Sequence, residues 1–197
     1  GWAVGEHGTL RRWDGTSWTA EPSPAGALLH SVAMIGAGDG WAVGEGGTVL
    51  RWDGTQWRPM EHVGSATMRS VDAVGPGHAW AVGGDGSLAD AILGWDGTRW
   101  RIVDHPAGVA GQLQAVTMVS PSDVWAVGCS YTDRSAAGLT LHWDGRSWSE
   151  LPTSAGARCL LALAAVDSAD VWAVGAGEDG GPYAAHWGGA QWTSVPV

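Results

Sequence analysis

The chain contains no lysine, no asparagine and no phenylalanine. Codons for all three are AT-rich, so their joint absence fits a GC-rich coding sequence better than any mechanism. Without lysine, the ten cationic side chains are all arginines, scattered among twenty carboxylates for a formal net charge of −10. A phosphate-backbone partner needs a basic patch. None is visible, which argues against nucleic acid. No apolar run approaches the roughly 18 residues of a membrane-spanning helix, so membrane insertion is not expected. Charged residues make up only 15% of the chain, whereas glycine is abundant at 32. That balance suits short strands and tight turns better than long surface helices. No spacing of His, Cys and carboxylates reads as a metal site, and no cofactor is implied.

Tryptophan is what the sequence has in excess, with 15 residues. They fall into five copies of one unit. A Trp-Ala-Val-Gly tetrapeptide begins at Trp2, Trp41, Trp80, Trp125 and Trp172. Each is followed by a hairpin-like run: Trp13-Asp14-Gly15-Thr16-Ser17-Trp18, Trp52 to Trp57, Trp95 to Trp100, Trp143 to Trp148 and Trp187 to Trp192. Self-similarity at a period of 39 to 47 residues marks a repeat architecture.

One repeat reads as four short strands. Residues 28–35 form an apolar strand, 40–45 carry the Trp-Ala-Val-Gly strand, 48–52 form the third and 56–60 the fourth. Gly and Asp punctuate them, and Asp-Gly between two such runs signals a hairpin, since both residues tolerate positive φ. Four antiparallel strands per repeat describe a propeller blade, with flat Trp rings filling the wedges between blades. The expected fold class is therefore all-β: a five-bladed β-propeller of four-stranded antiparallel blades in one domain over residues 1–197. The blades cover approximately 1–20, 28–60, 67–103, 112–151 and 158–197. The first lacks its innermost strand. A flanking segment or a partner chain is expected to supply it, and the chain, which opens on Gly1 in mid-repeat, is expected to belong to a larger polypeptide. Residues 1–20 are expected to abut residues 158–197 and close the ring.

These units resemble the repeats of secreted bacterial β-propellers, a group allied to kelch, galactose-oxidase-like and sialidase-repeat proteins. The hairpin is similar to the Asp-box of sialidase-like propellers, but it is one residue shorter and has no Ser or Thr two positions before the Asp. Blade number also resembles that of five-bladed animal lectins, which carry one sugar pocket per blade. Their motif is not matched here, so no pocket residue carries over. The resemblance implies an extracellular, secreted protein.

Length varies mostly between the second-strand and third-strand Trp: Trp2 to Trp13 spans 11 residues, Trp125 to Trp143 spans 18. Variation confined to one face of a repeat array marks the binding face. The candidate ligand-binding residues are those of the variable loops: Asp85 and Asp90; Tyr131, Asp133 and Arg134; Glu178, Asp179 and Tyr183. An aromatic face beside carboxylates can stack on a sugar ring and bond its hydroxyls; solvated loop decoration is the alternative. His30, Arg69, Gln114 and Leu161 share one position near the start of the first strands and could line a channel mouth. Cys129 and Cys159 fall on adjacent blades and are read as a disulfide, against two buried thiols. Catalysis is not expected, because Asp72 is the single first-strand carboxylate and no Ser/His/Asp arrangement stands out. The reading is a non-catalytic binding domain, carbohydrate-binding through its loop face. The alternative is a protein–protein interaction or structural module of a larger secreted protein; a glycosidase ranks behind both.

Overall fold

The structure, a computed structural model, describes residues 1–61, 63–84, 90–105, 111–131 and 135–197, with Asp90 described in its backbone alone. The described residues form five antiparallel sheets, each following chain order. Sheet one holds β1 (Trp2–Val4), β2 (Leu10–Trp13) and β3 (Trp18–Ala20). Sheet two holds β4 (Leu29–Gly36), β5 (Asp39–Gly44), β6 (Val49–Trp52) and β7 (Trp57–Pro59). Sheet three holds β8 (Thr67–Gly75), β9 (His78–Gly84), β10 (Asp90–Trp95) and β11 (Trp100–Ile102). Sheet four holds β12 (Gly111–Ser120), β13 (Asp123–Tyr131), β14 (Ala136–Trp143) and β15 (Trp148–Glu150). Sheet five holds β16 (Ala157–Asp167), β17 (Asp170–Gly177), β18 (Pro182–Trp187) and β19 (Trp192–Val195). The first strands β4, β8, β12 and β16 stand side by side, as inner strands of a propeller do. These are five propeller blades of antiparallel strands, as the repeat predicts, with a three-stranded first blade.

Each outer hairpin pairs its two Trp across four intervening residues, as in Trp13 with Trp18 and Trp52 with Trp57. The expected reason for Asp-Gly needs correcting. Only the glycines use positive φ: Gly15 (109°), Gly54 (93°), Gly97 (92°), Gly145 (94°) and Gly189 (89°). The aspartates act through the carboxylate instead. Asp14 Oδ1 accepts the backbone N–H groups of Thr16 (2.7 Å) and Ser17 (2.9 Å) and the Thr16 hydroxyl (2.7 Å). Asp53, Asp96 and Asp144 accept the equivalent pair of backbone N–H groups. Side-chain oxygen mimics a backbone turn here. In the fifth copy Gly188 replaces the aspartate and the hairpin still forms, with Trp187 paired to Trp192.

The Gly that ends Trp-Ala-Val-Gly has a packing reason. In every four-stranded blade the first strand carries a bulge at the same place, between Leu29 and Ser31, Met68 and Ser70, Leu113 and Ala115, and Leu160 and Ala162. There the first strand presses against the second. A Cβ on Gly44, Gly83, Gly128 or Gly175 would run into the carbonyl oxygen of Leu28, Thr67, Gln112 or Cys159. His30, Arg69, Gln114 and Leu161 are the residues left out of the ladder by these bulges.

The core lies between blades, as four walls of one design. The second-strand Trp of each blade is clasped by the Trp pair of the next. Trp2 meets Trp52 at 4.7 Å and Trp57 at 5.1 Å; Trp41 meets Trp95 at 4.7 Å and Trp100 at 5.0 Å. Trp80 meets Trp143 at 4.9 Å and Trp148 at 5.1 Å; Trp125 meets Trp187 at 5.0 Å and Trp192 at 5.8 Å. Tilted and edge-on contacts of this kind suit the ring quadrupole. Leu and Val residues complete each wall, with Ile or Met in some. Hydrogen bonds add to this nearer the axis: Ser31 Oγ accepts Val71 N–H, Ser70 Oγ accepts Val116 N–H (both 3.2 Å), and Asp72 accepts Met118 N–H at 2.8 Å.

The expected fifth wall is absent. No ring of sheet one reaches Trp172, which stacks on His186 of its own blade at 4.5 Å, while Trp13 and Trp18 stack on each other at 5.5 Å. Among the described residues, sheets one and five are not packed together. The sequence places complementary residues on both faces.

Candidate functional site

The chain running from blade four to blade five builds a cavity on the loop face. Residues 151–156 are pinned from both sides. Leu151 N–H donates to Thr140 O at 3.0 Å, Thr153 Oγ1 donates to Gly138 O at 3.1 Å, and Glu178 N–H donates to Gly156 O at 2.9 Å. Over this floor opens a cavity of about 450 Å³, bounded by Ser130, Gly138, Glu150, Thr153, Ser154 and Glu178. A neighbouring cavity of about 300 Å³ is lined by Ser135, Ala136, Arg158 and Glu178. Glu178 is thus shared by both. A separate cavity of about 320 Å³ lies at the rim, between Met60, Glu61 and residues 98–101. There Arg101 is already engaged by Asp96 at 2.6 Å.

The loop-face residues singled out in the sequence take different parts. Glu178 faces the cavities and is exposed. Asp179 accepts the N–H of Gly181 at 2.9 Å and so shapes its own turn. The Tyr183 hydroxyl lies 2.5 Å from Ser154 Oγ and donates toward the carbonyls of Ser154 and Ala155 at 3.2 Å each. It ties blade five to the connecting chain. Tyr131, half-buried, ends β13 opposite Ala136, which lines the smaller cavity. Asp85, Asp133 and Arg134 lie outside the described residues, as does the side chain of Asp90, whose backbone pairs with Gly84.

Two contributors have no sequence signal. The connection 151–156 varies little in length between copies, so nothing marks it out. Arg158 sits in an inner strand beside a cysteine and reads as strand decoration. That cysteine, Cys159, is joined as a disulfide to Cys129, with Cα atoms 4.5 Å apart and 30 residues of separation. A cross-link closing a loop of that length contributes about 3–4 kcal/mol, and this one fixes blades four and five on either side of the cavity.

Other polar groups serve the scaffold. Asp72 is used by Met118 N–H, Thr117 Oγ1 (3.4 Å) and Ala73 N–H (2.8 Å). His142 and His186 pair with Asp123 and Asp170 at 2.9 Å each. Arg51 bonds Asp39 through Nε (3.1 Å) and Nη2 (3.2 Å) and lies over Trp41 and Trp95 at 5.0 and 5.4 Å. Hairpin hydrogen bonds hold the Asp14, Asp53 and Asp96 carboxyls well below the usual carboxylate range and lower that of Asp144. The foremost donors are Ser17 N–H, the Thr55 hydroxyl, the Thr98 hydroxyl and Ser147 N–H respectively. Among the described residues no group of three or more His, Cys, Asp or Glu side chains could hold a metal ion, and no helix is long and apolar enough to cross a membrane.

No protein-family model matches the chain, and no curated protein matches it in sequence. Solved structures do. The chain is similar to YCF48 from Cyanidioschyzon merolae, at 17% identity and a TM-score of 0.65, over 99% of this chain and 66% of that one. It is similar to the SapL1 lectin in complex with alpha methyl fucoside, at 16% identity and 0.61, over 99% and 74%. It is also similar to the Aleuria aurantia lectin in complex with Fucalpha1-6GlcNAc, at 16% and 0.59, over 96% and 70%. At such identities the likeness shows the propeller fold, and function has to be argued from the site.

Proposed function

We propose that the chain is a non-catalytic carbohydrate-binding domain of a secreted, extracellular protein. The observation that carries this reading is the pair of cavities sharing Glu178 on the loop face between blades four and five. Their combined chemistry suits a sugar. The Glu178 carboxylate accepts from hydroxyls, the Arg158 guanidinium donates, the Ser130 and Thr153 hydroxyls, whose protons go to the carbonyls of Ala137 and Gly138, keep lone pairs to accept, and the smaller cavity sits beside the strand end carrying Tyr131. A cavity of about 450 Å³ is of the size that small-molecule sites use. Asp133 and Arg134, which follow Tyr131 in sequence, and Asp85 and Asp90 remain candidates from the sequence alone. Two solved propellers of similar fold hold fucosides, which supports a lectin reading. First strands carry two carboxylates where the sequence suggested one: Asp72 is spent on the N–H groups of Ala73 and Met118, and Asp167, at the end of β16, accepts the N–H of Ala169 at 2.8 Å, which supports a non-catalytic reading. The disulfide supports an oxidising compartment.

A protein ligand is the second reading. The exposed Trp13, Trp18, Trp172 and Val174 favour it. In that reading a flanking segment or a partner chain completes the first blade.

A glycan array followed by NMR with millimolar fucosides and other simple sugars tests the main reading. The expected result is a response at Glu178, Arg158 and Tyr131, weakened at least tenfold by Glu178→Gln, about the worth of one charge-assisted hydrogen bond. No response across the array would leave the interaction module as the better reading.

A further inference from the structure

We infer that at least one further blade of this same repeat, carried by the same polypeptide, stands between sheet five and sheet one, so that these five blades are an arc of a larger ring. The two open faces are the two halves of one wall. In blades two, three and four, the second-strand pairs Trp41 and Val43, Trp80 and Val82, and Trp125 and Val127 are all buried by the next sheet. Their counterparts in blade five, Trp172 and Val174, are 41% and 47% exposed. The opposite half shows the same contrast. Trp52, Trp57, Trp95 and Trp100 clasp the preceding blade and are buried, whereas Trp13 and Trp18 are 37% and 49% exposed with nothing to clasp.

The chemistry of the occupant follows from the walls that are filled. The face at Trp172 needs a third-strand and a fourth-strand Trp, one tilted and one edge-on, as Trp187 and Trp192 meet Trp125. The face at Trp13 and Trp18 needs a second-strand Trp followed by Ala-Val, as Trp41 supplies to Trp95 and Trp100. One Trp-Ala-Val-Gly/Trp-Asp-Gly-Thr-x-Trp blade satisfies both needs at once. A contiguous apolar surface of this kind is covered by a partner in folded proteins.

The source follows from sheet one. It is the one sheet of three strands, and its Gly5 has open space where Gly44, Gly83, Gly128 and Gly175 each meet a first-strand carbonyl. The new neighbour must therefore come with an inner strand for blade one. A second copy of these residues has no such strand to give, because its four inner strands already belong to complete sheets. Additional repeat sequence on the same polypeptide supplies both the strand and the blade, through the short turn that joins first and second strands elsewhere, as between Gly36 and Asp39.

Hydroxyl-radical footprinting read by mass spectrometry tests this, on the 197-residue chain and on the complete polypeptide that carries it. In the 197-residue chain Trp13, Trp18 and Trp172 should be oxidised several-fold faster than Trp125. In the complete polypeptide, which should carry further copies of the repeat, all three should slow to the rate of Trp125. Protection of Trp172 in a monomeric 197-residue chain would mean that five blades close on themselves. Protection that appears only with dimerisation would assign the wall to a second copy. Either result overturns the inference, as would a complete polypeptide with no further repeat, or one in which Trp172 stays reactive.

Discussion

Trp125 and Trp172 hold the same position in the repeat, yet Trp125 is 1% exposed beneath Trp187 and Trp192 while Trp172 is 41% exposed beside His186. One side chain, in one local sequence, is core in the first case and surface in the second. The two should therefore respond differently to truncation. Trp125→Ala removes the centre of a wall and should cost about 3–5 kcal/mol. Trp172→Ala in the same 197-residue chain should cost less than about 1 kcal/mol, as surface substitutions do. Urea unfolding with matched m-values separates the two outcomes. Equal losses would show that the outer face of blade five is covered after all.

Glycine offers a second pair. Gly128 and Gly5 both end a Trp-Ala-Val-Gly strand, but a Cβ on Gly128 meets Gln112 O whereas one on Gly5 meets nothing within 4 Å. Gly128→Ala must push β12 away from β13 and should destabilise by about 1–3 kcal/mol, the usual cost of overpacking. Gly5→Ala, at an extended φ of −178°, should be neutral or slightly stabilising through the unfolded chain. Thermal denaturation of the two variants checks this. A large loss at Gly5 would show that its strand slot is filled.

The repeat was legible because each of its parts has a local cause. Strand alternation, glycine at the positive-φ turn position and aspartate facing two N–H groups all reside within a few residues, so four strands and a hairpin can be read from Leu28 to Met60. The ring was not legible, because burial of Trp172 depends on what stands beside it and not on Trp172. Site residues divide the same way. Glu178 was found because loop length varies there. Tyr183 reads the same in a sequence whether its hydroxyl meets a ligand or Ser154, and Arg158 has a strand neighbour's profile. Only packing of blade five against residues 151–156 tells these apart.

The hairpin aspartates give a pH prediction. Asp14, Asp53, Asp96 and Asp144 all have carboxyls shifted downward by hydrogen bonds that exist only in the folded hairpin. A folded value below the unfolded one of about 3.9 means that their contribution is fully present above about pH 4. It is lost progressively as pH falls from there toward the depressed folded values. Carboxyl-detected NMR titration should show these four ionised while ordinary surface carboxylates protonate. The fifth hairpin, with Gly188, should show no such signal. Titration of Asp14 with the ordinary carboxylates would mean that its turn is open in solution.

Tyr183 and Glu178 separate scaffold from site on the loop face. The Tyr183 hydroxyl makes its contacts to Ser154 and Ala155 from a half-buried position, so Tyr183→Phe leaves these partners without their donor. It should cost about 1–2 kcal/mol and loosen residues 151–156, seen as faster amide exchange in the connection. Glu178 lines both cavities from an exposed position, so Glu178→Gln should change stability by no more than about 0.5 kcal/mol. Its effect should fall on ligand binding, because the amide keeps the shape but gives up the charge and half of the acceptor capacity. Binding measured for both variants at a temperature where both are folded completes the comparison. If Tyr183→Phe weakens sugar binding more than Glu178→Gln does, with amide exchange unchanged, then the tyrosine hydroxyl and not the glutamate contacts the ligand, and the cavities shared by Glu178 are not the site.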